Sequence, residues 1–294
     1  MERVSYYIFI FFTRLFVLVP FWVLYLFSNI LYFLLYYIIP YRKKVIRQNI
    51  YRSFPDQDQV GQIKIIKGFY RNLCDLLVEW VKGQTLSKKD LLERYVFVNP
   101  EVLNDLFSKG QDVLCVGAHY ANWEWGIMAA PLQLKHKLIA FYKPLTNKLI
   151  DSYIRQNRKK WGAELVAKQN VRRVFNAKKD KPNAYFFGAD QSPSNPKGSH
   201  WMNFLNQDTA CIKGSEFFAR RYRLPVVYFD IQRIRRGYYT AKLKVIEDDS
   251  VNTAPGEITE NFMHTLEQII LKKPEDYLWS HRRWKHSRGK VETV

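Results

Sequence analysis

Residues Gly117 to Trp125 read GAHYANWEW, with a histidine, His119, and a glutamate, Glu124, five positions apart among aromatic and small residues. On a continuous α-helix five residues rotate a side chain through about 500°, leaving the pair roughly 140° apart. On a strand an odd offset places them on opposite faces. The two side chains can therefore meet only where the backbone changes from one structure to the other. The flanks fit such a change. DVLCVG, residues 112–117, is a short apolar run suited to a buried strand. Asn122 suits a helix N-cap, and WEWGIMAA the first turns of a helix with Glu124 near its positive end. This predicts a strand-to-helix turn with His119 just past the carboxyl end of a strand, where open α/β sheets bind ligands.

Working outward, further strand candidates lie at 138–142, 184–190, 224–230 and 239–246, and helix candidates at 123–130, 147–161, 170–178, 213–222 and 257–272. A long amphipathic helix is expected over 58–82, from the spacing of Ile63, Ile66, Phe69, Leu73, Leu76, Leu77 and Trp80. Strands alternating with helices predict an α/β fold: a mixed, largely parallel sheet flanked by helices, the last strands being candidates for antiparallel pairing. There is no internal repeat and no low-complexity linker. The expected organisation is an N-terminal membrane anchor over 1–45 and one domain over 46–294.

The anchor rests on residues 15–41, 27 positions without a charge, enough to cross a ~30 Å hydrocarbon core as a helix. Pro20 could kink it, and the scattered Tyr and Trp suit an interfacial helix as well as an upright one. A cleaved signal peptide fits poorly, because no alanine precedes Ala118. The basic run RKKVIR at 42–47 places the body on the cytoplasmic side by the positive-inside rule. Across 294 residues, 46 Lys and Arg against 27 Asp and Glu give a charge of +19 and call for an anionic partner. Cys74, Cys115 and Cys211 lie far apart, so neither a disulfide framework nor a zinc knuckle is expected.

Four clusters could carry chemistry. A carboxylate on one nitrogen of His119 would fix its tautomer and make it a general base; the alternative is a histidine pinned for packing alone. No H-E-x-x-H is present and no metal site is expected. The second cluster, YKPLTNKLIDSYIRQNRKKWG at 142–162, holds Lys143 and sets Arg155 and Arg158 three residues apart on a helix. Such a pair can clamp a phosphate, stabilise an oxyanion, or form a solvated basic face. In the third, Asp190 and Gln191 follow an apolar strand, at a ligand edge or in an ordinary turn. The fourth, YLWSHRRWKH at 277–286, mixes aromatics with cations and could stack on bases or lie in a headgroup layer. Neither a G-x-S-x-G elbow nor a phosphate-binding glycine loop exists, so the base would act on an acceptor hydroxyl directly.

In this order the blocks resemble the late lipid A acyltransferases, the lauroyl and myristoyl transferases of Gram-negative bacteria, within the lysophospholipid acyltransferase-like superfamily. The resemblance runs through the membrane helix, the His-x4-acid motif, the KPLTNKLIDSYIR block, the Asp190–Gln191 block with Gly214, Phe217 and Phe218 downstream, and the closing WSHRRWK. It implies an O-acyltransferase moving a fatty acyl chain from acyl carrier protein to a hydroxyl of a phosphorylated, acylated glucosamine disaccharide at the cytoplasmic face of the inner membrane. No cofactor is implied, the acyl donor being a co-substrate. Carried over, His119 is the base and Glu124 orients it, Arg155 and Arg158 bind phosphate or the oxyanion, and Asp190 shapes the acceptor site. Asn122, Lys143 and Gln191 fall on the substrate side. The implied partners are acyl carrier protein, a lipid substrate and the membrane, not nucleic acid. Two departures stand out: Lys143 replaces an arginine and lacks its bidentate fork, and Ala121 replaces a glycine, which suits a backbone without positive φ. Rival readings are another glycolipid, an amino-acid lipid or a lysophospholipid as acceptor, coenzyme A as donor carrier, an inactive scaffold, and a membrane-tethered nucleic-acid binder.

Overall fold

The computed structural model describes residues 2–288. The chain opens with helices α1 (Glu2–Leu18) and α2 (Phe21–Phe33), the latter running on through a π-helical turn, Leu34–Ile38. Pro20 does not kink one helix but separates two, standing in extended conformation as the N-cap of α2. Then come α3 (Lys43–Ser53) and α4 (Gln59–Gly83), whose N-cap Asp58 accepts from the Gly61 amide. The body continues with α5 (Lys88–Arg94), β1 (Tyr95–Phe97), α6 (Glu101–Ser108), β2 (Val113–Gly117), α7 (Trp123–Gln133), β3 (Lys137–Tyr142), α8 (Lys148–Lys160) and β4 (Glu164–Ala167). It ends with α9 (Val171–Phe175), β5 (Asn183–Gly188), the hairpin β6 (His200–Phe204) and β7 (Gln207–Cys211), α10 (Gly214–Tyr222), β8 (Val226–Arg235), β9 (Tyr238–Glu247) and α11 (Glu257–Lys272).

Seven strands form one sheet in the order β1-β9-β8-β2-β5-β3-β4, and β6–β7 form a separate pair. Only β8 and β9 run antiparallel within the large sheet. The expected mixed, largely parallel sheet with helices around it is what the chain builds. β2 sits in the middle, and all five of its residues are buried, as a strand covered on both faces requires. The strand expected over 184–190 ends at Gly188, so Asp190 lies beyond it in a loop.

Helix α2 lies along α4. Its Tyr25 donates to Glu79 (2.8 Å) and its Ser28 to Asp75 (2.5 Å), while Tyr36 packs edge-on against Tyr70 at 5.3 Å. Lys82 of α4 caps the end of α1, donating to the carbonyls of Phe16, Val17 and Val19 at 2.7–2.9 Å. The opposite faces of α1 and α2 leave Phe11, Leu18, Trp22, Phe27, Ile30 and Phe33 exposed. Among the described residues, Phe21–Ile38 is the one helical stretch long and apolar enough to cross a membrane, by length and composition only.

Candidate active site

The site is made by the register of β2 and β5. These strands are parallel neighbours in which Gly117 pairs with Gly188. His119 and Asp190 each lie two residues beyond that pair, and adjacent strands stand about 4.8 Å apart. Equal overshoot from paired ends brings the two side chains together: His119 Nδ1 is 2.7 Å from Asp190 Oδ1. The glycines make room. A Cβ on Gly117 would stand 2.5 Å from the Phe186 ring, and one on Gly188 would stand 3.3 Å from His119 Cε1.

Asp190 is buried, whereas the His119 side chain keeps about 25% of its surface exposed. Its Nε2 is 3.1 Å from Gln191 Nε2, and Trp123 packs edge-on against the ring at 5.1 Å. With Asp190 accepting from Nδ1–H, Nε2 carries the lone pair and faces the Gln191 amide. Burial pushes the His119 pKa down, but the Asp190 carboxylate, helped by Glu124, pushes it further up, so the net shift is above the usual 6.5. Burial likewise raises Asp190, and the facing imidazole, with Arg283 beyond it, outweighs that and holds the carboxyl below its ordinary range. An imidazole supported on Nδ1 by a carboxylate, with only an amide contact on Nε2, is an arrangement that suits a general base.

The carboxylate on His119 is thus Asp190, not Glu124. The strand-to-helix turn is present as expected, but Glu124 points to α8, where its Oε2 pairs with Arg158 Nη2 at 2.5 Å. Nor do Arg155 and Arg158 act as a pair: Arg158 is buried on Glu124, and Arg155 is exposed. The reason is the three-residue step, which turns about 300° and here carries one cation to the core side of α8 and the other to solvent. Arg158 Nη1 is buried without a hydrogen-bond partner among the described residues. Lys143 is exposed at the end of β3. Asn122 is buried, accepting from the Trp125 amide at 2.9 Å as the cap of α7 and donating to Glu79 at 2.8 Å, so both ends of its amide are tied into the fold. Ala121 sits at φ +49°, so the turn does use the left-handed conformation that glycine takes freely.

Sequence reasoning also left out the brace beneath the turn. The closing block binds it through Leu278 N to His119 O (3.1 Å), Ala121 N to Asp276 O (2.9 Å) and Tyr120 OH to Lys273 O (2.9 Å). Buried Arg283 donates to the Ala210 carbonyl at 2.7 Å, locking the block to β7. Glu79 accepts from Tyr25, Asn122 and Tyr239 at once, tying α2, the α7 cap and β9 to α4. Among the described residues no three His, Cys, Asp or Glu side chains cluster to hold a metal ion.

The fold is thus an α/β sheet with a histidine–aspartate pair at its carboxyl edge. The family described as bacterial lipid A biosynthesis acyltransferase matches residues 1–286, and the chain belongs to it. Relatives include a lipid A biosynthesis palmitoleoyltransferase of Escherichia coli K12, 25% identical over 249 residues, covering 83% of this chain and 79% of the relative. A lipid A biosynthesis lauroyltransferase of the same organism is 22% identical over 246 residues, with the same shares. A lipid A biosynthesis acyltransferase of Haemophilus influenzae is 23% identical over 251 residues, 83% and 78% of the two chains.

Proposed function

We propose that the protein transfers a fatty acyl chain from an acyl thioester to a hydroxyl of a lipid A precursor, with His119 Nε2 as general base. The observation that carries this is the His119–Asp190 pair, whose Nδ1 is held by a buried carboxylate while Nε2 faces out of the sheet edge. The acceptor hydroxyl displaces the Gln191 amide and gives its proton to Nε2 as its oxygen attacks the thioester carbonyl. Asp190 stabilises the imidazolium that forms. The tetrahedral intermediate then expels the thiolate, which takes that proton, leaving an ester and a free thiol. Arg158 Nη1, held in place through Glu124, supplies a donor for the oxyanion. Glu124 is on this reading a positioning residue for Arg158.

Acyl carrier protein suits the donor role, because an acidic carrier is steered by a chain of charge +19. On this reading the body sits on the cytoplasmic leaflet of the inner membrane, supported by the exposed apolar faces of α1 and α2 and by the basic run at 42–47. The hydrogen bonds of Tyr25 and Ser28 to the buried carboxylates of α4 favour helices that lie at the bilayer surface over an α2 that leaves the body to cross it. Purified protein given acyl-loaded carrier protein and a tetra-acylated lipid A precursor should yield a product heavier by one acyl chain in mass spectrometry. His119→Ala retaining more than about a tenth of wild-type turnover would overturn the base assignment, since losing such a group costs on the order of 10² to 10⁴.

A further inference from the structure

Two basic stretches far apart in the chain meet in space. α3 presents Lys44, Gln48 and Arg52 at four-residue steps along one face. The closing block brings Arg282, Trp284 and Lys285 against that face, and together they wall a cleft of about 320 Å³. The meeting is fixed by buried and part-buried hydrogen bonds: Asn49 Nδ2 donates to the carbonyls of Trp279 and His281, both at 2.9 Å, and Arg42 donates to the Ser280 carbonyl at 2.9 Å.

Among the described residues the charge in this cleft is uncompensated. Lys44, Arg52, Arg282 and Lys285 all line it, and no described carboxylate does. None of the four makes a hydrogen bond or ion pair with the described residues, whereas elsewhere cations such as Arg158, Arg233 and Lys244 are matched to acids. The four residues are exposed and ring one concavity, so they raise its positive potential, and an anion seated among them is favoured. The amides of Gln48 and Gln207 add neutral donors to the same wall.

Its place in the fold says which anion. The closing block runs from Leu278, whose amide holds the His119 carbonyl, to Arg282 four residues on, a backbone reach of no more than about 14 Å. The cleft therefore lies within the reach of one lipid headgroup from the His119 turn, and His119 is not among its lining residues. On its other side α3 follows Ile38, Ile39 and Tyr41, which are exposed at the end of the apolar surface of α2. A cationic cleft between an apolar membrane face and a catalytic base stands at the depth where a lipid presents its phosphate. A cleft of this volume can take a sugar phosphate.

We infer that the cleft between α3 and the closing block binds a phosphate monoester on the sugar headgroup of the acceptor lipid and so sets which hydroxyl reaches His119. This deepens the acyltransferase reading and rests on it. It also moves the phosphate contact expected on Arg155 and Arg158 to a different part of the molecule.

The test pairs Arg282→Ala/Lys285→Ala and Lys44→Ala/Arg52→Ala with a bis-phosphorylated lipid A precursor and with the same lipid after phosphatase treatment. Each double variant should raise KM for the phosphorylated acceptor by about tenfold or more while leaving kcat within about twofold. With the dephosphorylated acceptor, wild type and variants should converge. Arg282→Lys/Lys285→Arg, which keeps the charge, should recover most of the affinity. Binding is also read without turnover, by co-sedimentation of His119→Ala protein with neutral vesicles doped with the phosphorylated precursor. If the variants keep wild-type KM, or lose as much on the dephosphorylated lipid, the assignment is wrong. If the defect instead follows the phosphatidylglycerol content of the vesicles, the cleft reads bulk headgroups and the acceptor assignment is overturned. A wild-type enzyme that binds the precursor through these residues but acylates nothing would refute the acyltransferase reading and leave the cleft standing.

Discussion

Two regions of this protein bury carboxylates against polar partners, and they differ in what is left over. Under α2, Glu79 takes three donors and Asp75 is surrounded by Ser28, Arg233 and Arg236, with both carboxylates buried. At the sheet edge Asp190 takes one imidazole, and that imidazole still has a nitrogen facing outward. The first network is closed and can only hold parts together. The second ends at one part-exposed atom whose only hydrogen-bond contact among the described residues is the Gln191 amide, so on the proposed reading that atom can exchange a proton with a substrate that displaces the amide. Burial of an acid is thus by itself no mark of catalysis.

The comparison breaks most visibly at its open end. Replacing His119 by Ala should lower kcat on the order of 10² to 10⁴, as for general-base losses elsewhere, and because it strands the buried Asp190 carboxylate it should also cost about 1–3 kcal/mol of stability, so turnover is read on the folded fraction. Asp190→Asn should cost somewhat less, on the order of 10², and should also move the pH profile. The base must be neutral to act, so activity is lost as pH falls through the His119 pKa. In the wild type that pKa is raised above 6.5, and the acid limb of kcat/KM belongs above it. Without the carboxylate the largest raising influence is gone and the limb shifts to lower pH. An acid limb that stays put in Asp190→Asn would mean that another group titrates in the profile.

The closed end predicts the reverse pattern. Glu79→Ala strands three donors at a fully buried position, and each orphaned group costs about 1–3 kcal/mol. Chemical unfolding of the detergent-solubilised protein should show a loss of at least about 3 kcal/mol. Whatever enzyme remains folded should keep the wild-type acid limb. If Glu79→Ala moved that limb and spared stability, the two networks would not be distinct.

Much of this was legible in sequence, for reasons that can be named. The strand-to-helix change across GAHYANWEW followed from the impossibility of any uniform backbone joining His119 to Glu124, and it is there. The inference that this change existed to join them was mistaken, because a helix N-terminus swings Glu124 toward α8 and Arg158. The true partner had a signal of its own. GAH at 117–119 and GAD at 188–190 are the same ending on two strands, and parallel neighbours in register convert such a repeat into a contact. Asp190 was therefore picked out as a residue but not in its role. Missed altogether were β1 and β4, short strands at the two sheet edges, and the β6–β7 hairpin. That hairpin turns through Leu205 and Asn206, both at positive φ, and so lacks the Asn-Gly or Asp-Gly pair that announces such turns. The meeting of α3 with the closing block could not be read at all, since it depends on side-chain amides reaching across more than two hundred residues.

The smallest expected effect tests the turn itself, on which the open network stands. Ala121 is buried, holds the Asp276 carbonyl through its amide at 2.9 Å, and sits at φ +49°. The left-handed conformation costs a residue with a Cβ roughly 1–2 kcal/mol. Glycine escapes that cost but adds about 0.4–1 kcal/mol of disorder to the unfolded chain. Ala121→Gly should therefore stabilise the protein by between about 0 and about 1.6 kcal/mol, a rise of at most a few degrees in melting temperature, with the His119–Asp190 contact and turnover intact. A valine there adds β-branching to the strain and should lose activity along with stability, because the displaced turn carries His119. Should glycine at 121 instead lower turnover, the strained alanine would be holding His119 in place, and the turn would belong to the catalytic machinery rather than merely to the support beneath it.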